Sequence, residues 1–119
     1  MAATGPIVCV TTSAVAAGAT VLLLGRIWQT CDIGVNAAAN GSALVLLYLP
    51  AVFAVALAAS GGVYALARSF GGATVLAGSG AVIVAGLVGW LTLWQFHGGD
   101  YPSDCAAGVP PWWPGWIPL

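Results

Sequence analysis

Apolar residues run almost unbroken through three stretches of the chain, and polar residues gather between them. The first run goes from Ile7 to Leu24 with Trp28 at its end, the second from Ala43 to Ala67, closed by Arg68, and the third from Ala73 to Trp94. Each holds roughly 20 residues or more, which an α-helix rising about 1.5 Å per residue needs to cross the roughly 30 Å hydrocarbon core of a bilayer. The pattern predicts helices over 7–28, 43–67 and 73–94 within a single membrane domain spanning 1–119. A polar loop at 29–42 joins the first two, and a tight turn at 69–72 makes the second and third antiparallel neighbours. Glycine pairs at Gly71-Gly72 and Gly98-Gly99 read as turn residues.

Three local features refine this reading. No basic residue precedes the first run, so the positively charged n-region of a signal peptide is missing, and the segment is read as a retained transmembrane helix. Pro50 lies two turns inside the second run, where it removes a backbone donor and crowds the preceding turn, so a kink is expected. The tail, 95–119, ends in Pro110-Pro111-Trp112-Trp113-Pro114-Gly115-Trp116-Ile117-Pro118-Leu119. So many prolines exclude a helix, and extended or polyproline-like chain is expected there.

Composition turns this pattern into a class. Hydrophobic residues make up 61% and charged residues 4% of the chain, with a mean hydropathy of +1.01. A soluble domain devotes about a quarter of its residues to charge. Two arginines and three aspartates cannot wet a surface of this size, so the fold class is an all-α integral membrane protein with a Pro/Trp-rich non-helical tail. The net charge of −1 offers no clustered cations for nucleic acid. No polybasic segment flanks a helix, so the sequence does not point to recruitment of anionic lipid. Abundant alanine and glycine without lysine fit a GC-rich genome.

Three spans place the 26–42 loop and the tail on one membrane face, with the amino terminus and the 69–72 turn on the other. Arg26 and Arg68 fall on opposite faces, so the positive-inside rule is nearly silent. Cys31 and Cys105 are the only cysteines outside the hydrocarbon, and both fall on the loop-and-tail face. A disulfide between them would clip the tail to the first loop, contributing about 4 kcal/mol in the chain-entropy model. Such a bond persists only in an oxidising compartment. The expected orientation in a plasma or inner membrane is therefore amino terminus cytoplasmic, loop and tail periplasmic or extracellular. Cys9 falls inside the first helix as a small apolar residue. Asn40-Gly41-Ser42 fits the N-glycosylation pattern but abuts the second helix, out of reach of the transferase.

The third run carries Ala73, Ala77, Ala81, Ala85 and Gly89 at a four-residue spacing, and the second offers Ala54, Ala58 and Gly62. The first offers Ala14 with Gly18, and Ala17 with Gly25. Such rows let backbones approach closely, which promotes association in lipid, where no hydrophobic force drives it. They are expected to pack the three helices together and, on a remaining face, to dock a larger membrane subunit. Trp28, Trp90, Trp94, Trp112, Trp113 and Trp116, with Tyr101, gather toward the loop-and-tail face; Tyr64 and Phe70 mark the other. Tryptophan favours the headgroup zone, and the tail is expected to lie along it or against a partner.

The spans hold no Asp, Glu, Lys, Arg or His in their central parts, so proton relays and ion-coupled transport have nothing to act through. His97, Asp100, Asp104 and Cys105, with Cys31 and Asp32, are the one cluster of ligand-type side chains. Their spacing matches no zinc or copper pattern, and a disulfide would remove both thiolates. No catalytic residue, cofactor site, metal site or small-molecule substrate site is assigned. The expected partners are the bilayer and larger integral membrane subunits. The leading functional expectation is a non-catalytic accessory subunit of a membrane complex, with a bacterial respiratory assembly as the host class. The alternatives are a holin-like self-assembling permeabilising protein and a transient membrane assembly factor.

Overall fold

The computed structural model describes residues 4–33, 37–97, 105 and 109–119. Its elements are α1 (Thr4–Thr30), α2 (Ala37–Ala43), a π-helical turn (Leu44–Tyr48), α3 (Leu49–Ser69) and α4 (Thr74–Phe96). Among the described residues, three helical stretches are long and apolar enough to cross a membrane: Gly5–Thr30, Ala39–Ser69 and Thr74–Phe96. The second is α2, the π turn and α3 run together without a break. Each span touches the other two, and the long axis of 50 Å suits a bundle reaching through the hydrocarbon into both headgroup zones.

All three spans outrun their sequence-predicted limits, because polar residues at their ends join the helix instead of leaving it. α1 continues through Gln29 and Thr30, and the expected 29–42 loop shortens because Ala37–Ala43 is helical. Asp32 then takes the left-handed conformation, with φ of 52°. The Cys31 amide donates to the Ile27 carbonyl and the Ile33 amide to the Trp28 carbonyl, each at 2.9 Å. The first is the last ordinary helical bond and the second is the 6→1 closure of a Schellman-type helix end, with Ile33 folded onto the helix it follows. The Asn40 side chain fixes the return by donating to the Ile33 carbonyl at 2.7 Å.

The proline expectation resolves into the π turn. The Leu49 amide donates to the Leu44 carbonyl, five residues back, and Pro50 follows in the first turn of α3. Widening the turn ahead of the proline makes room for a ring that would crowd a tighter one, and Pro50 had no amide to bond. Between α3 and α4 the chain reverses through Phe70–Ala73. Gly71 has φ of 82°, and a Cβ on Gly72 would sit 2.7 Å from the Ala67 carbonyl oxygen. The two glycines thus answer different demands, a left-handed backbone and a close approach.

The core has two zones. Along the middle of the spans it is made of small residues: Ala17 of α1, Ala56 of α3, and Ala77, Ala81, Ala85 and Gly89 of α4 are buried. At the loop end it is bulky, with Leu24, Ile27, Cys31, Ile33, Leu44 and Leu93 in one cluster. Where it is described, over 109–119, the tail does not run extended. Residues 109–119 form two successive turns, with the Trp113 amide bonded to the Pro110 carbonyl and the Ile117 amide to that of Pro114. Pro111 at the second position of the first turn fixes φ where that turn needs it, and Gly115 takes the same position in the second.

Candidate functional site

Two surfaces of the bundle have a construction beyond simple span packing. The first is a cap at the loop end. A disulfide joins Cys31, just past α1, to Cys105, with the Cα atoms 5.1 Å apart. The tail then crosses the ends of the spans. Trp112 donates its indole N–H to Thr30 Oγ1 at 3.1 Å, and Trp90 of α4 donates to the Pro118 carbonyl at 3.0 Å. Trp113 packs with Leu119 on the bulky core cluster, and its N–H closes back on the Ile117 carbonyl at 2.9 Å. Trp28 donates to the Phe96 carbonyl at 2.9 Å, while its ring meets Tyr48 edge-on at 5.6 Å and Tyr48 meets Phe96 at 5.1 Å.

Of the six tryptophans taken from the sequence as interfacial or docking residues, four therefore spend their N–H groups inside the chain. Their acceptors are the carbonyls of Phe96, Ile117 and Pro118 and the Thr30 hydroxyl, which hold the rings against the chain. Trp94 and Trp116 point outward, with Trp116 83% exposed. Tyr101 lies outside the described residues.

The second surface is the outer face of α3. The sequence placed Ala54, Ala58 and Gly62 among the residues that pack the bundle, but the structure buries Val52, Ala56 and Ser60 instead. Two residues along a helix is about 200° of rotation, so Ala54, Ala58 and Gly62 look away from the bundle. The signal that decides the face is polar. Ser60 Oγ lies 3.3 Å from Ser13 Oγ of α1 and also reaches the Leu57 carbonyl at 3.3 Å. An unpaired hydroxyl is costly in hydrocarbon, so the serines turn toward each other and set the rotation of both helices. The buried Ser13 and Thr20, within the stripe Cys9, Ser13, Ala17, Thr20, Leu24 and Ile27, mark the inner face of α1. Ala14 accordingly faces out.

On α4 the row Ala77, Ala81, Ala85 and Gly89 is buried as a continuous stripe. A Cβ on Gly89 would lie 2.6 Å from Thr20 Oγ1, and one on Gly80 would lie 3.1 Å from Val63. Ala73 falls outside the stripe, since it is the extended residue that precedes α4.

The exposed faces of the three spans differ in texture. α1 presents Ile7, Val15, Leu22 and Leu23, and α4 presents Val75, Leu76, Ile83, Leu87 and Leu91. α3 presents Ala51, Ala54, Ala58, Gly62 and Ala65 with Val55 and Leu66 between them. A Cβ on Gly62 would meet nothing within 4 Å. Polar side chains on α4 are satisfied locally, Ser79 on the Val75 carbonyl and Thr92 on that of Val88, both at 2.8 Å.

The ligand-type cluster is largely committed elsewhere. Cys31 and Cys105 bond each other. His97 is buried and turns Nδ1 onto the last turn of α4, 2.9 Å from the Trp94 carbonyl and 3.2 Å from that of Leu93. Since both partners are carbonyls, Nδ1 carries the proton and caps the helix end. Asp32 is exposed at its turn, and Asp100 and Asp104 lie outside the described residues.

No known family model, curated protein or solved structure matches the chain, so the functional reading rests on these surfaces.

Proposed function

We propose that this chain is a non-catalytic accessory subunit of a larger membrane protein complex, held to its partner by the small-residue face of α3. The observation that carries the reading is the outward turn of Ala54, Ala58 and Gly62. The other two spans present mainly bulky aliphatic side chains, which suit lipid tails, whereas on α3 bulk is confined to Val55 and Leu66 and to Val45, Leu46 and Leu47 of the preceding π turn. A smooth alanine-glycine face gives lipid little to grip but lets another helix approach to backbone contact. The chain is a membrane protein by its three apolar spans, and no ionisable side chain lies in the middle of a span to move a proton or ion. Exposed Trp94 and Trp116 are large contact residues at the loop end, suited to the rim of the same partner. We place it in a bacterial inner membrane with the capped end periplasmic, and a respiratory assembly is the first host class to test.

A holin-like lesion draws less support. Its most plausible lining, the alanine-glycine row of α4, is already spent within the bundle.

The test is native purification in mild detergent through an amino-terminal tag. A larger membrane subunit should accompany the wild type in stoichiometric amount. The triple variant A54L/A58L/G62L should lose it while unfolding at the wild-type temperature, because these side chains enter open space. Purification of the wild type as a stable, partner-free monomer would overturn the proposal.

A further inference from the structure

A lateral groove of about 700 Å³ opens between α1 and α3 near the 70–73 turn. Its walls are Cys9 and Val10 of α1 and Leu57, Gly61 and Ala65 of α3, with Tyr64 and Arg68 toward one end and Thr74 of α4 beside them. The volume falls within the roughly 300–1,000 Å³ usual for small-molecule sites. Gly61 makes the groove: a Cβ there would meet nothing within 4 Å. Tyr64, also on α3, lays its ring against α1, 2.7 Å from where a Gly5 Cβ would stand, so a side chain at Gly5 would push the ring aside.

Length and charge identify the occupant. From Leu57 to Arg68 is about 16 Å along the helix axis, close to half of the roughly 30 Å hydrocarbon core. A ligand with its head at Arg68 and its tail at Leu57 therefore spans one leaflet. Arg68 is exposed one residue before the end of α3, and its Nη1 donates to the Gly72 carbonyl at 3.0 Å. That bond uses one of five guanidinium N–H donors and steadies the group at the level of lipid phosphates. Among the described residues no carboxylate shares this end; Asp32 sits beyond the far end of α1. An uncompensated cation at the mouth of an apolar, one-leaflet groove is complementary to an anionic amphiphile.

We propose that this groove is a binding site for one anionic phospholipid, with the phosphate on Arg68 and an acyl chain along Gly61 toward Leu57. The site goes beyond the accessory-subunit reading and does not depend on it. It was not visible in the sequence, where a single arginine is no polybasic cluster; folding supplies the apolar half of the ligand's address.

The experiment uses the full chain reconstituted in phosphatidylcholine vesicles with and without a minor fraction of phosphatidylglycerol, then extracted for native mass spectrometry. The wild type should retain one phosphatidylglycerol in preference to phosphatidylcholine. R68Q should reduce that retention roughly tenfold, as expected for loss of a charged hydrogen bond, with R68K intermediate. G61L should reduce it by filling the groove, whereas G86L, which also points into open space on α4, should leave it unchanged. Thermal unfolding separates these effects from misfolding: R68Q and G61L should unfold as the wild type does. Equal retention of both lipids, wild-type retention by R68Q or G61L, or a second copy of the chain in place of lipid would each overturn the proposal. A54L/A58L/G62L should keep the lipid while losing the partner, so failure of one idea is distinguishable from failure of the other.

Discussion

At Gly89 the first and third spans come so close that the difference between hydrogen and methyl decides whether they fit. An alanine Cβ would stand 2.6 Å from Thr20 Oγ1, and the Ala16 carbonyl lies 3.8 Å away on the same side. Thr20 is buried, and threonine in a helix has only two comfortable χ1 positions, so little room exists to turn aside. G89A should therefore lower unfolding stability in detergent by about 1–3 kcal/mol, the usual cost of overpacking. T20A/G89A should recover most of the loss, because removing the hydroxyl removes the clash. A double-mutant cycle reads this coupling directly, and additive effects would show that the two residues do not meet. The same scale explains what sequence reading could and could not see. The four-residue spacing of Ala77, Ala81, Ala85 and Gly89 announced a close-packed stripe, and the structure buries all four. The equal spacing of Ala54, Ala58 and Gly62 announced one too, yet it faces out. Small residues permit contact without requiring it; buried hydroxyls require it. Ser13, Thr20 and Ser60 were the better guide to the inner faces.

Among the elements, the three spans were legible from hydropathy because lipid tolerates few other ways to fold a chain of this composition. Their ends were not, since Gln29, Thr30 and Asn40 read as loop residues while helical hydrogen bonding carries on past the hydrocarbon edge. Pro50 was legible as a disturbance, and its form, a π turn over Leu44–Tyr48, depends on packing. Residues four apart overshoot a full turn of α-helix by about 40°. The wider π turn rotates less per residue and offsets the drift between Leu44 and Val52, so Leu44 is buried on the same side as α3's inner residues. The tail needs more than its own sequence to find its place, because two short turns hold no core of their own. Its seat comes from the Cys31–Cys105 bond, from the Thr30 hydroxyl of α1, which accepts from Trp112, and from the Trp90 indole N–H of α4, which donates to the Pro118 carbonyl. C105S should release it. In the chain-entropy model, losing a ring with a sequence separation of 74 costs about 4 kcal/mol. Limited proteolysis should then cut within 109–119, and tryptophan emission should shift to the red as Trp113 leaves the core cluster. A tail that stays protected without the disulfide would show that its aromatic contacts suffice.

For the molecule as a whole, the decisive asymmetry is between its two ends. One carries the disulfide, the turned tail and most of the tryptophans; the other carries a glycine turn, Arg68 and the groove. In a bilayer the two ends of the bundle face opposite sides, so the redox state of one cysteine pair reports the orientation of everything else. Thiols on a cytoplasmic face are kept reduced, whereas a periplasmic pair is oxidised enzymatically. When bacteria expressing the chain are opened in mild detergent with a maleimide-polymer label present, Cys31 and Cys105 should resist the label until a reductant is added. In cells lacking the periplasmic oxidation machinery both should label at once. Cys9, buried in α1, should label in neither condition while the bundle is folded, which makes it an internal control. If Cys31 and Cys105 label without reductant in ordinary cells, the capped end faces the cytoplasm. Arg68 would then meet the outer leaflet instead of the cytoplasmic one, and the lipid in the groove would have to be drawn from that side.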